Sequence, residues 1–283
     1  MKIITPAKIN LFLKVTGKRQ DGYHEIESIF LPLSFPVDEI NITPNESSAD
    51  LLITSNSDSI PNDGNNICFK AAVEFAKCAE INPSWKINID KKIPVSAGLG
   101  GGSSDAAAVL RALNQMHPGV SDSQLFDIAC SLGADVPYFL NPKPATAKGT
   151  GEVLSLLDGV PQLSLVIVNP IFPVSATWGY QNYIPEENDS SLNETVEALK
   201  NGDLDKLASL FRNDLQPAVF RKFPIMDLLK DGLLNAGAIF VGMSGSGPTL
   251  FAVCSSTEDA ANIAEKTKSQ YEDTVYCTAT STT

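Results

Sequence analysis

The sequence predicts an α+β protein of two domains, and three observations carry that prediction. Residues 9–54 read almost entirely as strands parted by turn residues, and residues 186–235 are mostly helical in pattern. The tail then runs strand, strand, helix, strand, the ordering of an α+β layer. The texture changes around the run Leu163-Ser-Leu-Val-Ile-Val168. That change sets a boundary within 155–165 and gives domains over 1–158 and 159–283. At 283 residues the chain is long enough for both.

Taken in order, residues 9–15 alternate loosely between apolar and polar and open the sheet. Residues 25–33 and 39–43 follow as two further strands, and 51–54 as a short one. Asn66 opens a helix through residue 80, with Ile67, Ala71, Val73 and Phe75 among its apolar positions. Residues 85–90 alternate as a strand and lead into a glycine-rich loop. Behind the loop, Ala106, Val109, Leu110 and Leu113 mark one face of a helix. Ser121-Asp-Ser-Gln124 resembles a helix N-cap, starting a helix through about Ser131. Short strands follow at 145–148 and 152–156, and 163–168 is a buried strand closed by Asn169-Pro170. The helical stretch has a polar break at Glu186-Glu-Asn-Asp-Ser190. The tail gives strands at 238–241 and 249–253, a helix over 257–269 and a last strand at 274–278.

Composition narrows the class. The chain is 43% hydrophobic and 19% charged, as in an ordinary soluble globular protein. Its formal charge of −12 argues against duplex nucleic acid or an anionic membrane as partner. An acidic protein that binds an anion must gather its few cations locally, and Lys8, Lys18, Arg19, Lys91, Lys92 and Lys148 lie near loops. Five widely spaced cysteines with no C-x-x-C pair suit neither a disulfide framework nor zinc, so a reducing cytoplasm is expected. Only two histidines occur, which excludes a histidine-rich metal site. Pro6, Lys8 and Asn10 interrupt the start where a signal peptide needs an apolar core, and no apolar run is long enough to span a membrane.

The most informative stretch is Pro94-Val-Ser-Ala-Gly-Leu-Gly-Gly-Gly-Ser-Ser-Asp-Ala-Ala-Ala108. Four glycines fall between Gly98 and Gly102, two serines follow, and a helix begins directly behind them. Glycines let the backbone bend into a nest of inward N–H groups, and a helix N-terminus adds unpaired donors and partial positive charge. Together they describe a site for a polyphosphate. A P-loop is excluded because no lysine precedes Ser103 and Ser104, and a dinucleotide fingerprint because Ser103 stands where its third glycine belongs.

Other constellations are weaker alone. Pro6-Ala-Lys-Ile-Asn10 puts Lys8 and Asn10 on one face of the first strand, where a solvated sheet edge is the plain alternative. Asp21-Gly-Tyr-His24 displays an aromatic ring and an imidazole, and by itself reads as a hairpin turn. Ser131-Leu-Gly-Ala-Asp-Val-Pro137 places Asp135 just past a helix, as a capping or ion-paired residue or a catalytic one. Gly242-Met-Ser-Gly-Ser-Gly-Pro248 is a second glycine-serine loop.

In combination and in this order, the Pro-x-Lys-x-Asn start, the G-L-G-G-G-S-S loop and the late Gly-Ser-Gly loop resemble the GHMP kinases. The resemblance runs from residue 6 to 249. It implies a two-domain fold, the N-terminal half like domain 2 of ribosomal protein S5 and the C-terminal half a ferredoxin-like α/β layer. It also implies transfer of the γ-phosphoryl of ATP to an alcohol. The nucleotide would meet Pro94, Ser96, Ala97, Gly98, Leu99, Gly100, Gly101, Gly102, Ser103 and Ser104, with Asn65 and Lys91 on the adenosine side. Asp135 would accept the substrate proton, with Lys8 beside it. No Glu occurs between Glu80 and Glu152, where several relatives keep a magnesium ligand. Mg²⁺ is therefore expected to be held mainly by phosphates and water.

Within the family, Asp21-Gly-Tyr-His24 and Gly133-Ala-Asp-Val-Pro137 resemble the branch acting on a small cytidine diphosphate-linked methylerythritol, in the non-mevalonate route to isoprenoids. That likeness implies phosphorylation of a 2-hydroxyl, Tyr23 stacking on cytosine, His24 bonding its edge, and Asn10 near the chemistry. Gly245 and Ser246 would also meet the substrate. A second aromatic would close the base site: Tyr180 by position, with Trp178 or Phe172 as alternatives. Homoserine- or mevalonate-type kinases, and a non-catalytic nucleotide-binding relative, are the competing readings. No nucleic-acid or membrane partner is expected.

Overall fold

Between Trp85 and Asp90 apolar and polar side chains alternate, and Trp85, Ile87 and Ile89 are buried while Lys86 and Asn88 face solvent. This strand of the computed structural model is representative: one face of each sheet packs on helices. The structure describes residues 1–46, 50–183 and 190–283. Apart from Ser190, the expected polar break at 186–190 lies outside the described residues.

The first elements in chain order are β1 (Lys2–Lys18), β2 (His24–Pro44), β3 (Leu52–Ser55), α1 (Ile67–Cys78), β4 (Trp85–Asp90), α2 (Gly101–Met116), α3 (Asp122–Leu132) and α4 (Val136–Leu140). There follow β5 (Ala145–Lys148), β6 (Val153–Leu156), β7 (Ser164–Pro170), α5 (Ala176–Asn182), α6 (Leu192–Asn201), α7 (Leu204–Leu210) and β8 (Arg212–Asn213). The last are α8 (Gln216–Lys222), α9 (Ile225–Asn235), β9 (Phe240–Met243), β10 (Leu250–Cys254), α10 (Thr257–Tyr271) and β11 (Val275–Ser281). They fall into two compact units. One holds Met1–Ala7, Pro36–Val95 and Gly100–Pro142; the other holds Lys8–Phe35, Ser96–Leu99 and Lys143–Thr283. Residue 158, the expected boundary, falls inside the second unit, in the loop after β6.

In the first unit β4 pairs antiparallel with residues 39–44 of β2 and parallel with β3. Ile40, Ile42, Ile87 and Ile89 form its buried face. Helix α2 packs on α1 and α4, close approach being allowed by Ala106, Ala107 and Ala108. Asn66 opens α1 by accepting from Cys68 N at 2.8 Å, and Ser121 with Gln124 forms a capping box on α3. Each cap satisfies donors that a helix start leaves unpaired.

In the second unit the order is β2-β1-β8, with β5 against β2 and β6 against β5. A four-stranded antiparallel sheet follows, in the order β11-β7-β10-β9. Val166, Val168 and Ala252 of that sheet share a core with Leu229 and Leu233 of α9 and Ile263 of α10.

Strands β4, β5 and β7 and helices α1, α2, α3 and α10 lie where the sequence placed them to within a few residues. The two strands expected at 25–33 and 39–43 are one continuous strand, β2. It pairs with β5 at residues 28–30 and with β4 at 39–44. Pro36, with no N–H to donate, falls between these two pairings, so it reads as a break without ending the strand. Helices α4 and α5 and the two-residue β8 were not foreseen. All are shorter than the window over which periodicity shows.

Candidate active site

Lys8 and Asn10 are buried, with 3% and 2% of their surface exposed, on one face of β1. A buried ammonium needs partners. Lys8 Nζ donates to Asn10 Oδ1 at 2.6 Å and lies 4.8 Å from the Phe30 ring centroid. Asn10 Nδ2 donates to Ser28 Oγ at 2.9 Å, and Ser28 Oγ donates to the Phe12 carbonyl. This relay fixes which way the Asn10 amide points.

The segment Ser96–Leu99 belongs to the same unit, and three successive carbonyls tie it down. Ala97 O accepts from Thr249 N at 3.2 Å, Gly98 O from Ser244 Oγ at 2.8 Å, and Leu99 O from Lys8 N at 3.0 Å. Ser244 Oγ also accepts from Asn10 N at 3.3 Å. These three carbonyls are thereby engaged within the protein. Ser96 and Gly98 take left-handed φ values of 54° and 78°. At Gly98 a side chain is excluded twice over, because a Cβ there would overlap the Ser244 carbonyl oxygen.

The turn that holds Gly98 is itself anchored by the segment after α7. Asn213 Nδ2 donates to the carbonyls of Met243 and Gly245 at 2.7 and 2.9 Å, and Gln216 Oε1 accepts from Met243 N at 2.9 Å. Gly245 lies against Gly98 and Asn10, and Ser246 is partly exposed beside it.

Tyr23 projects from its turn with 62% exposure. His24 starts β2 and stacks on Tyr180 of α5, ring centroids 5.3 Å apart and planes 17° from parallel, while Tyr183 meets it edge-on at 5.5 Å. Trp178 instead carries the Lys222 ammonium 3.9 Å from its ring centroid, and Phe172 packs on Phe223 at 4.6 Å. Tyr180 is thus the one of the three candidates that meets the Asp-Gly-Tyr-His turn. Burial, with a smaller contribution from the Lys18 charge, lowers the His24 pKa below its ordinary value.

In the first unit Gly100 precedes α2 in a left-handed conformation, φ 71°, with no side chain capping the helix. Gly101, Gly102 and Ser103 follow as its first residues and are all at least partly exposed. Ser104 departs from expectation. Its N–H donates to Gly100 O at 2.9 Å, and its fully buried hydroxyl donates to Pro6 O at 2.6 Å beside the Thr5 hydroxyl. With both donors spent, Ser104 fastens α2 to β1, unlike the exposed first residues of the helix. Lys91 also differs from a ligand-facing cation: its side chain is 5% exposed, and Nζ donates to Asp105 at 2.8 Å and to Asp38. Asn65 is exposed before α1, and Pro94 is half-buried.

Asp135 is the half-buried residue preceding α4, and its side chain does not cap that helix. Burial first, and the Asp135 charge second, push the Tyr138 hydroxyl pKa well above its ordinary value. No group of three or more His, Cys, Asp or Glu side chains suited to a metal occurs among the described residues.

Asp38, Ser28, Ser244, Asn213 and Asp105 were not singled out from sequence. Two of them left a signal: Ser244 inside the second glycine-serine loop, and Asp105 as a carboxylate set beside the alanines of an inward helix face.

The chain matches the family models for the GHMP kinases N terminal domain over residues 66–142 and GHMP kinases C terminal over residues 195–273. A protein of Citrifermentans bemidjiense bearing the name 4-diphosphocytidyl-2-C-methyl-D-erythritol kinase is 40% identical over 265 residues, 93% of each chain. One of Geobacter metallireducens with the same name is 39% identical over 271 residues, 94% of each. A crystal structure of 4-(cytidine 5'-diphospho)-2C-methyl-D-erythritol kinase matches with a TM-score of 0.84 and 33% identity, covering 100% of this chain and 99% of the other. Homoserine kinase from Cytophaga hutchinsonii, at a TM-score of 0.79 and 21% identity over 100% and 94% of the two chains, shares the fold.

Proposed function

This chain belongs to the GHMP kinase family, and on that premise we propose that it transfers the γ-phosphoryl group of ATP to the 2-hydroxyl of 4-diphosphocytidyl-2-C-methyl-D-erythritol, a step of the non-mevalonate route to isoprenoids. The observation that supports the nucleotide half is the start of α2 at left-handed Gly100 with no side-chain cap, which leaves its first N–H groups as donors for phosphate. Phosphoryl transfer needs little covalent help from a protein beyond positioning and charge stabilisation. The backbone of Ser96–Leu99 and of Gly100, Gly101, Gly102 and Ser103 supplies those donors.

Asp135 accepts the proton of the attacking hydroxyl, and the Lys8 ammonium lowers the cost of the alkoxide that forms. Asn10, oriented through Ser28, holds the reacting end of the substrate. Tyr23, His24 and Tyr180 receive the cytosine, as do Gly245 and Ser246 the remainder of the substrate. Mg²⁺ arrives with the nucleotide, on phosphates and water, and neutralises charge on the transferring group. The five widely spaced cysteines, with no C-x-x-C pair, suit a reducing cytoplasm, and no helix among the described residues is long and apolar enough to cross a membrane.

A coupled ATP-turnover assay with three acceptors tests this. Turnover is expected with diphosphocytidyl-methylerythritol and not with mevalonate or homoserine. Turnover with either of the latter and none with the first reverses the assignment, and no turnover with any returns the chain to a nucleotide-binding relative.

A further inference from the structure

Beneath the first turn of α2 three charged side chains share one buried site: Asp38 of β2, Lys91 just after β4 and Asp105 of α2. Asp38 is wholly buried and Asp105 is 2% exposed. Lys91 Nζ donates to a carboxylate oxygen of each. Asp38 has further claims on its charge, since Oδ1 accepts from Lys92 N at 2.6 Å and Ile93 N at 2.8 Å. Asp105 is less well served, for its Oδ1 is buried with no hydrogen-bond partner. The cluster also touches the loop. A Cβ added to Gly101 would stand 3.1 Å from Lys91 Nζ and closer still to Ile93. The ammonium thus lies directly under the first helical glycine.

Two ionised carboxylates and one ammonium would leave a net negative charge below residues read as receiving phosphate. An unpaired carboxylate oxygen in a dry interior is costly, whereas a carboxylic acid is not. Resting on the kinase reading, we infer that Asp105 is a positioning residue held as a neutral acid, so that Asp38, Lys91 and Asp105 together carry no net charge beneath the nucleotide-binding turn of α2. Asp38 accepts from three donors, the Lys91 ammonium and the N–H groups of Lys92 and Ile93, whereas Asp105 accepts from Lys91 alone.

The titratable groups facing Asp105 are Lys91, Asp38 and, from α1, the buried Cys68 thiol, whose own pKa burial and Asp105 push up. Burial drives the Asp105 pKa upward, the Asp38 charge adds to it, and Lys91 opposes both; the result is about 8. Loss of this proton as pH rises puts the missing negative charge under Gly101 and weakens nucleotide binding without touching the acceptor.

ADP binding by calorimetry and KM for ATP, both between pH 7 and 9.5, test this in the wild type and in Asp105→Asn, which mimics the neutral acid. The wild type is expected to lose about three- to tenfold in affinity across the range, a size set by one charge at moderate distance. Asp105→Asn is expected to stay flat. A flat wild type, or a variant with the same slope as the wild type, overturns the proposal. The infrared carbonyl band of a protonated carboxylic acid, lost over the same range, is a readout that needs neither variant nor ligand; its absence at pH 7 also overturns the proposal. Failure of ADP to bind at any pH defeats the kinase reading and with it the positioning role, while the infrared band still reports separately whether Asp105 keeps its proton.

Discussion

Tyr180 lies flat against His24, ring centroids 5.3 Å apart and planes 17° from parallel. The contact joins a turn near the start of the chain to a seven-residue helix that hydrophobic periodicity did not reveal. Stacking a base on an aromatic side chain is worth about 1–3 kcal/mol. Tyr180→Ala is therefore expected to raise KM for the cytidine-bearing substrate about tenfold and to leave KM for ATP within about twofold. Trp178→Ala is the control, because Lys222 already covers that ring. A larger effect from Trp178→Ala than from Tyr180→Ala in steady-state kinetics would move the base site to the indole.

His24 gives a pH signature. Burial, and then the Lys18 charge, hold its pKa below the ordinary 6.5, so the imidazole is neutral at pH 7. A depressed histidine means that the folded state binds fewer protons than the unfolded one. Its contribution to stability is present above about 6.5 and is lost as pH falls through that value toward the folded pKa. Protonation also turns a ring acceptor into a donor, so substrate KM is expected to rise on the acid side. NMR titration of the imidazole should give a midpoint below 6.5 that moves upward in Lys18→Ala but stays depressed, since burial is the larger cause. A wild-type midpoint at or above 6.5 contradicts this account.

Gly98 and Ser244 separate loop shape from loop attachment. Gly98→Ala places a Cβ into the Ser244 carbonyl oxygen on a backbone with positive φ. The left-handed conformation alone costs a residue with a Cβ about 1–2 kcal/mol, so turnover is expected to fall at least about 100-fold, with a lowered Tm. Ser244→Ala removes two hydrogen bonds, the one donated to Gly98 O and the one accepted from Asn10 N, each worth about 1 kcal/mol, and is expected to raise KM for ATP about fivefold with a smaller fall in Tm than Gly98→Ala. Nucleotide affinity that is unchanged in both variants would detach this segment from the phosphates.

These sites show which information the sequence carries locally. Helix starts at Asn66 and Ser121 were legible because each side chain caps a donor within three residues of itself. The glycine loop was legible because its chemistry is contiguous. The Asp38–Lys91–Asp105 cluster was not, because its members are far apart in sequence and are made neighbours only by β2, β4 and α2. Strand β8 was hidden for the same reason. Two residues inside a helical pattern become a strand only through pairing with Phe12 and Leu13. The burial of Ser104 was not legible from its place beside Ser103, because one step along a helix turns a side chain by roughly 100°, from the exposed side to the face packed on β1.

Asp135 is where the chemistry of the acceptor can be isolated from the fold. Its carboxylate precedes α4 without capping it, and it is half-buried rather than locked in the core. Asparagine keeps the shape and hydrogen-bonding reach of the side chain but cannot accept the proton of an attacking hydroxyl. Removing a general base costs about 10²–10⁴ in rate. Asp135→Asn is therefore expected to lower kcat by that factor, with KM for both substrates within about threefold and Tm nearly unchanged. A residue needed only to anchor α4 would give the reverse pattern: a lowered Tm and a kcat that recovers once the fraction of folded enzyme is counted. Steady-state kinetics and a melting curve on one preparation distinguish the two. A variant with near-wild-type kcat would leave Asp135 a structural neighbour of Tyr138 and pass the proton to another group.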